Sequence, residues 1–176
     1  MYTYEYPHPA VTADAVVFGF DGKSLNLLLI NRGIEPYKGS WALPGGFINI
    51  NETAEDGALR ELKEETGVDD IYLEQFHTFT AVDRDPRERV MTIAFLAFIR
   101  QDDYSVVAGD DAAKAQWYPV DKLPELAFDH EEIIKMALDK LRWKIIYEPL
   151  EFHLLNETFT MTQLQTIYEA VIGKEL

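Results

Sequence analysis

Apolar residues fall into short continuous runs and helical stripes along this chain. Ala13 to Phe20 (ADAVVFGF) predicts a buried strand. Asp21-Gly22 is a hairpin turn signal, and Leu25 to Asn31 (LNLLLIN) is the returning strand. The next stretch, RGIEPYKGSWALPGGFI, is rich in Gly and Pro. It predicts a loop, a short strand at Trp41-Ala42-Leu43, and a sharp turn at Pro44-Gly45-Gly46 leading into Phe47-Ile48. Paired glycines allow close approach of a ligand or metal. A helix follows Asn51-Glu52-Thr53, with Asn51 or Thr53 as its cap. Ala54, Ala58 and Leu62 form its apolar stripe, Leu59 flanks it, and Gly67 ends it. Gly57 lies inside the helix at a cost of about 1 kcal/mol against alanine.

Beyond that helix, Ile71 to Val82 alternates like a strand, and DRDPRERV is a charged loop around Pro86. Val90 to Ile99 (VMTIAFLAFI) is a strongly apolar central strand. QDDYSVVAGDD is loop or edge strand, and Ala115 to Val120 is another short strand. Phe128-Asp129-His130 caps a helix from about Glu131 to Trp143, with Ile133, Ile134, Ala137, Leu138 and Leu141 on its apolar face. A last helix runs from a cap at Thr160 or Thr162 to Ile172, ends at Gly173, and turns Leu164, Ile167, Tyr168 and Val171 to one side. The pattern predicts an α+β fold with a mixed sheet and helices packed on it.

Composition narrows the class. The chain has 176 residues, 47% hydrophobic and 12% aromatic, enough for a real core. Net charge is −15, which repels nucleic acid unless a basic patch or a metal intervenes. There is no cysteine, hence no disulfide, thiolate chemistry or Cys-based zinc site. Apolar runs are far shorter than a membrane span, and MYTYEYPHPA lacks the features of a signal peptide. These absences imply a soluble, cytoplasmic protein with no membrane partner. The proline-bearing leader predicts extended chain, either lightly ordered or packed on a sheet edge or second subunit.

The chemistry concentrates between Gly46 and Val68. Glu61, Glu64 and Glu65 are spaced i, i+3, i+4, so Glu61 and Glu65 stack on one helix face with Glu64 beside them. A divalent cation relieves such like-charge crowding, and oxygen-only donors suit Mg²⁺ or Mn²⁺.

Residues 46–68 resemble the Nudix box, GX5EX7REUXEEXGU, with U a bulky aliphatic. Gly46, Glu52, Arg60, Glu61, Leu62, Glu64, Glu65, Gly67 and Val68 fill every defined position. The seven fixed letters would coincide by chance on the order of once in 10⁸–10⁹ windows. The strand order around the box is similar to a Nudix α/β/α sandwich, over roughly residues 10–143. The resemblance implies cleavage of a diphosphate by water. It makes Glu61, Glu64 and Glu65, with the carbonyl of Gly45, the expected Mg²⁺ (or Mn²⁺) ligands. Glu61 or Glu64 is the expected catalytic base, and a loop acid, Asp110 or Asp111, is the other candidate. Arg60, grouped with the catalytic residues, is expected to orient the ligands through a salt bridge to Glu52. Gly46, Glu52 and Gly67 are structural parts of the box.

The substrate must be read elsewhere. The RDPR stretch resembles ADP-ribose-type Nudix enzymes, and Pro86 lies slightly beyond the place of a proline that marks ADP-ribose preference. Arg84, Arg87 and Arg89 are candidate diphosphate or ribose binders, with Gly46 approaching the substrate closely. The alternative is an exposed loop whose arginines pair with Asp83, Asp85 and Glu88. Trp41 and Phe20 are candidates for stacking adenine, although such residues are more often core. His8, His77, His130 and His153 show no ligand spacing and are expected to be satisfied or solvated.

FTMTQLQTIYEAVIGK resembles the start of the winged helix-turn-helix of Nudix-related transcriptional regulators of the NrtR type and sugar-responsive relatives. The expected organisation is a Nudix domain over residues 1–145 and a partial winged-helix segment over 146–176. From Ile145 onward Lys174 is the one Lys or Arg, so this chain as given is not expected to bind DNA. Two functions follow. One is a metal-dependent hydrolase of ADP-ribose or a similar nucleoside diphosphate sugar. The other is a ligand-sensing regulator domain with little or no turnover. A homodimer is the expected state, with the leader and helix 131–143 as candidate interface parts.

Overall fold

The computed structural model describes residues 1–109 and 112–176, less the side chains of Glu151 and Phe152. Among them are seven strands: β1 (Ala10–Phe20), β2 (Leu25–Arg32), β3 (Trp41–Ala42), β4 (Gly45–Phe47), β5 (Glu74–Phe79), β6 (Val90–Arg100) and β7 (Ala112–Pro119). Three α-helices accompany them: α1 (Ala54–Thr66), α2 (His130–Tyr147) and α3 (Met161–Ile172).

β1 organises the sheet. It runs parallel to β6 along its whole length, from Ala10 opposite Val90 to Phe20 opposite Arg100. Its other edge is shared. Thr12–Asp14 pairs with β4 and Phe18–Phe20 with β2, both antiparallel. β2 carries β7 on its far edge and meets β3 at Ile30–Asn31, while β5 closes the sheet beyond β6. A strand buried on both faces has no polar alternation, which is why β1 reads as a continuous apolar run.

The two faces of β1 feed two cores. Ala13, Ala15 and Val17 face α1 and pack with Ala58, Leu62 and Phe95. Val16, Phe18 and Phe20 face α2, with Leu27, Leu29, Ile133, Ala137 and Leu141. Burying each Leu or Phe side chain contributes about 1.5–3 kcal/mol. Ile167 and Val171 of α3 join this second cluster with Ile145 and Leu154. The C-terminal segment therefore shares the core of residues 1–145.

The caps follow the predicted chemistry. Thr53 Oγ1 accepts from the Asp56 N–H, and Gly67 closes α1 at φ 74°. Thr160 and Gln163 form a capping box on α3. Asp129 precedes α2 but makes no side-chain cap. β5 is shorter than its alternation predicts, because Ile71 and Leu73 turn in against α1. β1 and β7 each start three residues early, at Ala10 and Ala112. α2 runs one turn past Trp143. Among the described residues, no helix is long and apolar enough to cross a membrane.

Candidate active site

The site forms where the β4 turn, the second half of α1 and the start of α2 converge beside β1. Gly45 and Gly46 pair with Asp14 and Ala13, which lays the turn across β1. A Cβ on Gly46 would stand 2.6 Å from the Glu61 carboxyl carbon, so any side chain there would displace the Glu61 carboxylate. Around them lies a cavity of about 340 Å³. Glu61, Glu65 and Arg60 line it from α1, Asp14 and Thr12 from β1, Arg32 from β2, and Arg84, Asp85 and Arg87 from the charged loop. Phe47, Phe128 and His130 complete the wall.

Arg60 is the hub of the box. Its Nε and Nη2 donate to both Glu52 oxygens at 3.0 and 2.7 Å, and Nη2 also reaches the Phe47 carbonyl. Nη1 donates to Glu61 at 2.7 Å and to Glu64 at 3.1 Å. These hydrogen bonds, with the one from the Asn49 N–H, hold the Glu52 carboxyl down at about 2. The same pairs push the Arg60 guanidinium up. Glu61 goes the other way. Burial raises its carboxyl, more than the Arg60 contact lowers it.

Glu65 is 7% exposed. Desolvation pushes its carboxyl up to about 8, against the hydrogen bond from the Gly45 N–H at 3.0 Å and with help from Glu61 and Asp14. Glu64 lies outside the cavity lining, its side chain 41% exposed.

Glu61, Glu64, Glu65 and the Gly45 carbonyl are hard oxygen donors on adjoining backbone, and in kind they suit Mg²⁺ or Mn²⁺. Their present aim is different. Among the described residues no three acid or histidine side chains converge on one point. The Arg60 guanidinium is the cation that Glu61 and Glu64 share.

The substrate candidates are distributed unequally. Arg84 lines the cavity, but its side chain is 3% exposed and gripped by both Asp129 oxygens at 2.9 and 2.7 Å. Asp129, not a neighbour in the loop, is its partner, which explains why Asp129 leaves α2 uncapped. Arg87 pairs with Asp85 and stacks over Phe47 at 5.0 Å. Arg89 lies outside the lining and donates to the Thr80 and Ala81 carbonyls, holding the loop closed. Trp41 packs edge-on against Tyr118 at the border of the core, and Phe20 is buried within it. Neither lines the cavity. Gly67 sits at the far end of α1 as its cap. Asp110 and Asp111 lie outside the described residues.

Sequence patterning missed several cavity residues, Asp14, His130, Arg32 and Phe128 among them. Asp14 was hidden inside an apolar strand, where a lone acid on a buried face is itself a signal. His130 was passed over for want of ligand spacing. Arg32 and Phe128, stacked at 4.9 Å, carry no motif at all.

An intact box, with Glu61 and Glu65 lining a cavity and set on this sandwich, defines the class: the chain belongs to the Nudix family. The NUDIX domain model matches residues 8–137, and the NrtR DNA-binding winged helix domain model matches 151–176. Over 139 residues the chain is 42% identical to an ADP-ribose pyrophosphatase of Methanocaldococcus jannaschii, covering 79% of this chain and 77% of that protein. Over 176 residues it is 35% identical to the ADPR responsive transcriptional repressor NtrR of Acinetobacter baylyi, covering 98% of this chain and 70% of that one. The NUDIX domain of Shewanella oneidensis NrtR, solved in complex with ADP ribose, superposes with a TM-score of 0.71 at 33% identity, over 77% of this chain and 90% of that one.

Proposed function

We propose that this protein hydrolyses the diphosphate of ADP-ribose, or of a similar nucleoside diphosphate sugar, with Mg²⁺ or Mn²⁺. The observation that carries this is the joining of Glu61 and Glu65 to one cavity by the Gly45-Gly46 turn, with Glu64 tied to Glu61 through Arg60. The 42% identity to an ADP-ribose pyrophosphatase supports the substrate class. Glu61, Glu64, Glu65 and the Gly45 carbonyl would hold the cation, which supplies neutralisation of diphosphate charge and a more acidic bound water. The Glu52–Arg60 pair orients Glu61 and Glu64, and the Gly45 N–H orients Glu65. Either Glu61, which lines the cavity, or Glu64, which is more exposed, accepts the proton of the attacking water. Water adds to one phosphorus, the bond to the bridging oxygen breaks, and ADP-ribose yields AMP and ribose 5-phosphate. Arg87, 37% exposed in its side chain, is the loop arginine best placed to meet the ligand. Arg84 supports that wall through Asp129.

A second reading rests on a separate observation, the winged-helix match over 151–176 together with 35% identity along 98% of the chain to an ADPR-responsive repressor. In it the same cavity senses the ligand with little turnover. With one Lys or Arg from Ile145 onward, the residues given do not bind DNA in either reading. A homodimer belongs to the proposal, and exposed Trp143, Ile146 and Tyr147 on α2 support it.

The test is incubation with ADP-ribose and Mg²⁺, assayed for AMP and ribose 5-phosphate. Glu65→Gln is expected to lower turnover by at least on the order of 10²-fold. Tight binding without product would leave only the sensor.

A further inference from the structure

Two buried polar groups in the cavity face one another without bonding. His130 is 4% exposed, and its Nδ1 accepts the Leu43 backbone N–H at 2.9 Å. An accepting ring nitrogen carries no proton, so the neutral imidazole carries it on Nε2. Burial also favours that neutral ring. Nε2–H is thus a fixed donor. Asp14 Oδ1 stands 3.9 Å away, beyond hydrogen-bond reach. Asp14 is 6% exposed, and Thr92 Oγ1 donates to its other oxygen, Oδ2, at 2.5 Å. Among the described residues nothing donates to Oδ1 and nothing accepts from Nε2. Leaving a buried donor and acceptor unmatched is costly.

The separation selects the group that would match them. At 3.9 Å, a single oxygen lying to one side reaches both. That oxygen must accept from Nε2–H and donate to Oδ1. A hydroxyl does both. A diphosphate oxygen only accepts, and it would meet the Asp14 carboxylate. Asp14 Oδ1 also lies against Gly45, where a Cβ would stand 2.6 Å from it. The pair therefore adjoins the turn that borders Glu65.

We propose that Asp14 and His130 together bind a sugar hydroxyl of the ligand, His130 donating to it and Asp14 accepting from it. This rests on the nucleoside diphosphate sugar reading of the cavity and adds that the sugar, not the diphosphate, meets this wall. A site built around a hydroxyl discriminates strongly against ligands that lack one.

Two substitutions separate the nitrogens of His130. In His130→Asn the amide oxygen replaces Nδ1 and keeps the Leu43 bond, but no donor remains at Nε2. In His130→Gln the amide nitrogen replaces Nε2. Calorimetry with Mg²⁺ would measure binding of the non-hydrolysable α,β-methylene analogue of ADP-ribose and of methylenediphosphonate, which has no hydroxyl. His130→Asn is expected to weaken the analogue about tenfold at unchanged melting temperature. Methylenediphosphonate should bind it as it binds the wild type. His130→Gln should keep most of the analogue's affinity. Wild-type affinity of His130→Asn for the analogue overturns the proposal, leaving the pair to bind ordered water only. Equal weakening of both probes overturns the hydroxyl assignment. If His130→Asn does not fold, a loss in His130→Gln as large as in His130→Leu overturns it. A wild type that does not bind the analogue overturns the functional reading, and this one with it.

Discussion

Glu61 and Glu65 are one helical turn apart and meet different surroundings. Arg60 holds Glu61 at 2.7 Å, while Glu65 is buried with one backbone N–H bond and has Glu61 and Asp14 close by. With its carboxyl raised from 4.5 to about 8 by burial, Glu65 favours the folded state when protonated. That contribution is complete below pH 4.5 and is lost as pH rises through about 8. In EDTA, urea-unfolding midpoints of the wild type should therefore fall across this window relative to Glu65→Gln, which stays neutral. Parallel pH profiles of the two proteins would contradict it. The loop arginines differ in the same way. Arg84→Ala strands a part-buried Asp129 and should cost about 3–5 kcal/mol in chemical denaturation. Arg87→Ala removes a 37% exposed side chain but leaves the buried Asp85 only the residue 87 backbone N–H among the described residues, and should cost less, about 1–3 kcal/mol. At this scale the sequence was legible where a motif fixes spacing, as for Glu61, Glu64, Glu65, Arg60 and Glu52. It was silent on Asp129 and Arg84, partners 45 positions apart, because pairing at that range depends on the fold.

Among the elements, α1 was the most legible. Its cap, stripe and terminating glycine are local signals, and each appears at the residue predicted. Gly57 was the exception, a helix-weakening residue without a local reason. Its reason is tertiary. A Cβ there would stand 3.1 Å from Glu52 Oε1 and 3.4 Å from Ile48, and Arg60 already holds that carboxylate from two nitrogens. Helix propensity alone predicts that Gly57→Ala stabilises by about 1 kcal/mol. The crowding of Glu52 predicts a lower urea midpoint instead, and a higher one would contradict it. Element ends were less legible. β1 begins at Ala10 because the Ala10 N–H bonds the Arg89 carbonyl at 2.9 Å, a contact made only when β6 lies alongside. The 71–82 alternation was cut to Glu74–Phe79 by packing on α1, which outweighs local pattern.

For the whole molecule, a net charge of −15 opposes binding any polyanion. Three of the four cavity arginines, Arg60, Arg84 and Arg87, are paired with acids and do little to offset this, which leaves Arg32, bonded to the Pro36 carbonyl, as the one outside an ion pair among the described residues. A divalent cation is therefore the natural bridge between this protein and a diphosphate, and chelation should abolish turnover. The C-terminal segment bears on the alternative role. α3 sets Ile167 and Val171 into the core that contains α2, and α2 starts in the cavity at His130. The cavity and the winged-helix segment thus share one packed element, a layout that would serve a sensor as well as an enzyme. Turnover separates the two roles. ADP-ribose incubated with the wild-type chain and Mg²⁺ should give equal amounts of AMP and ribose 5-phosphate, abolished by EDTA and lowered at least on the order of 10²-fold by Glu65→Gln. ADP-ribose bound tightly but recovered intact would contradict the hydrolase.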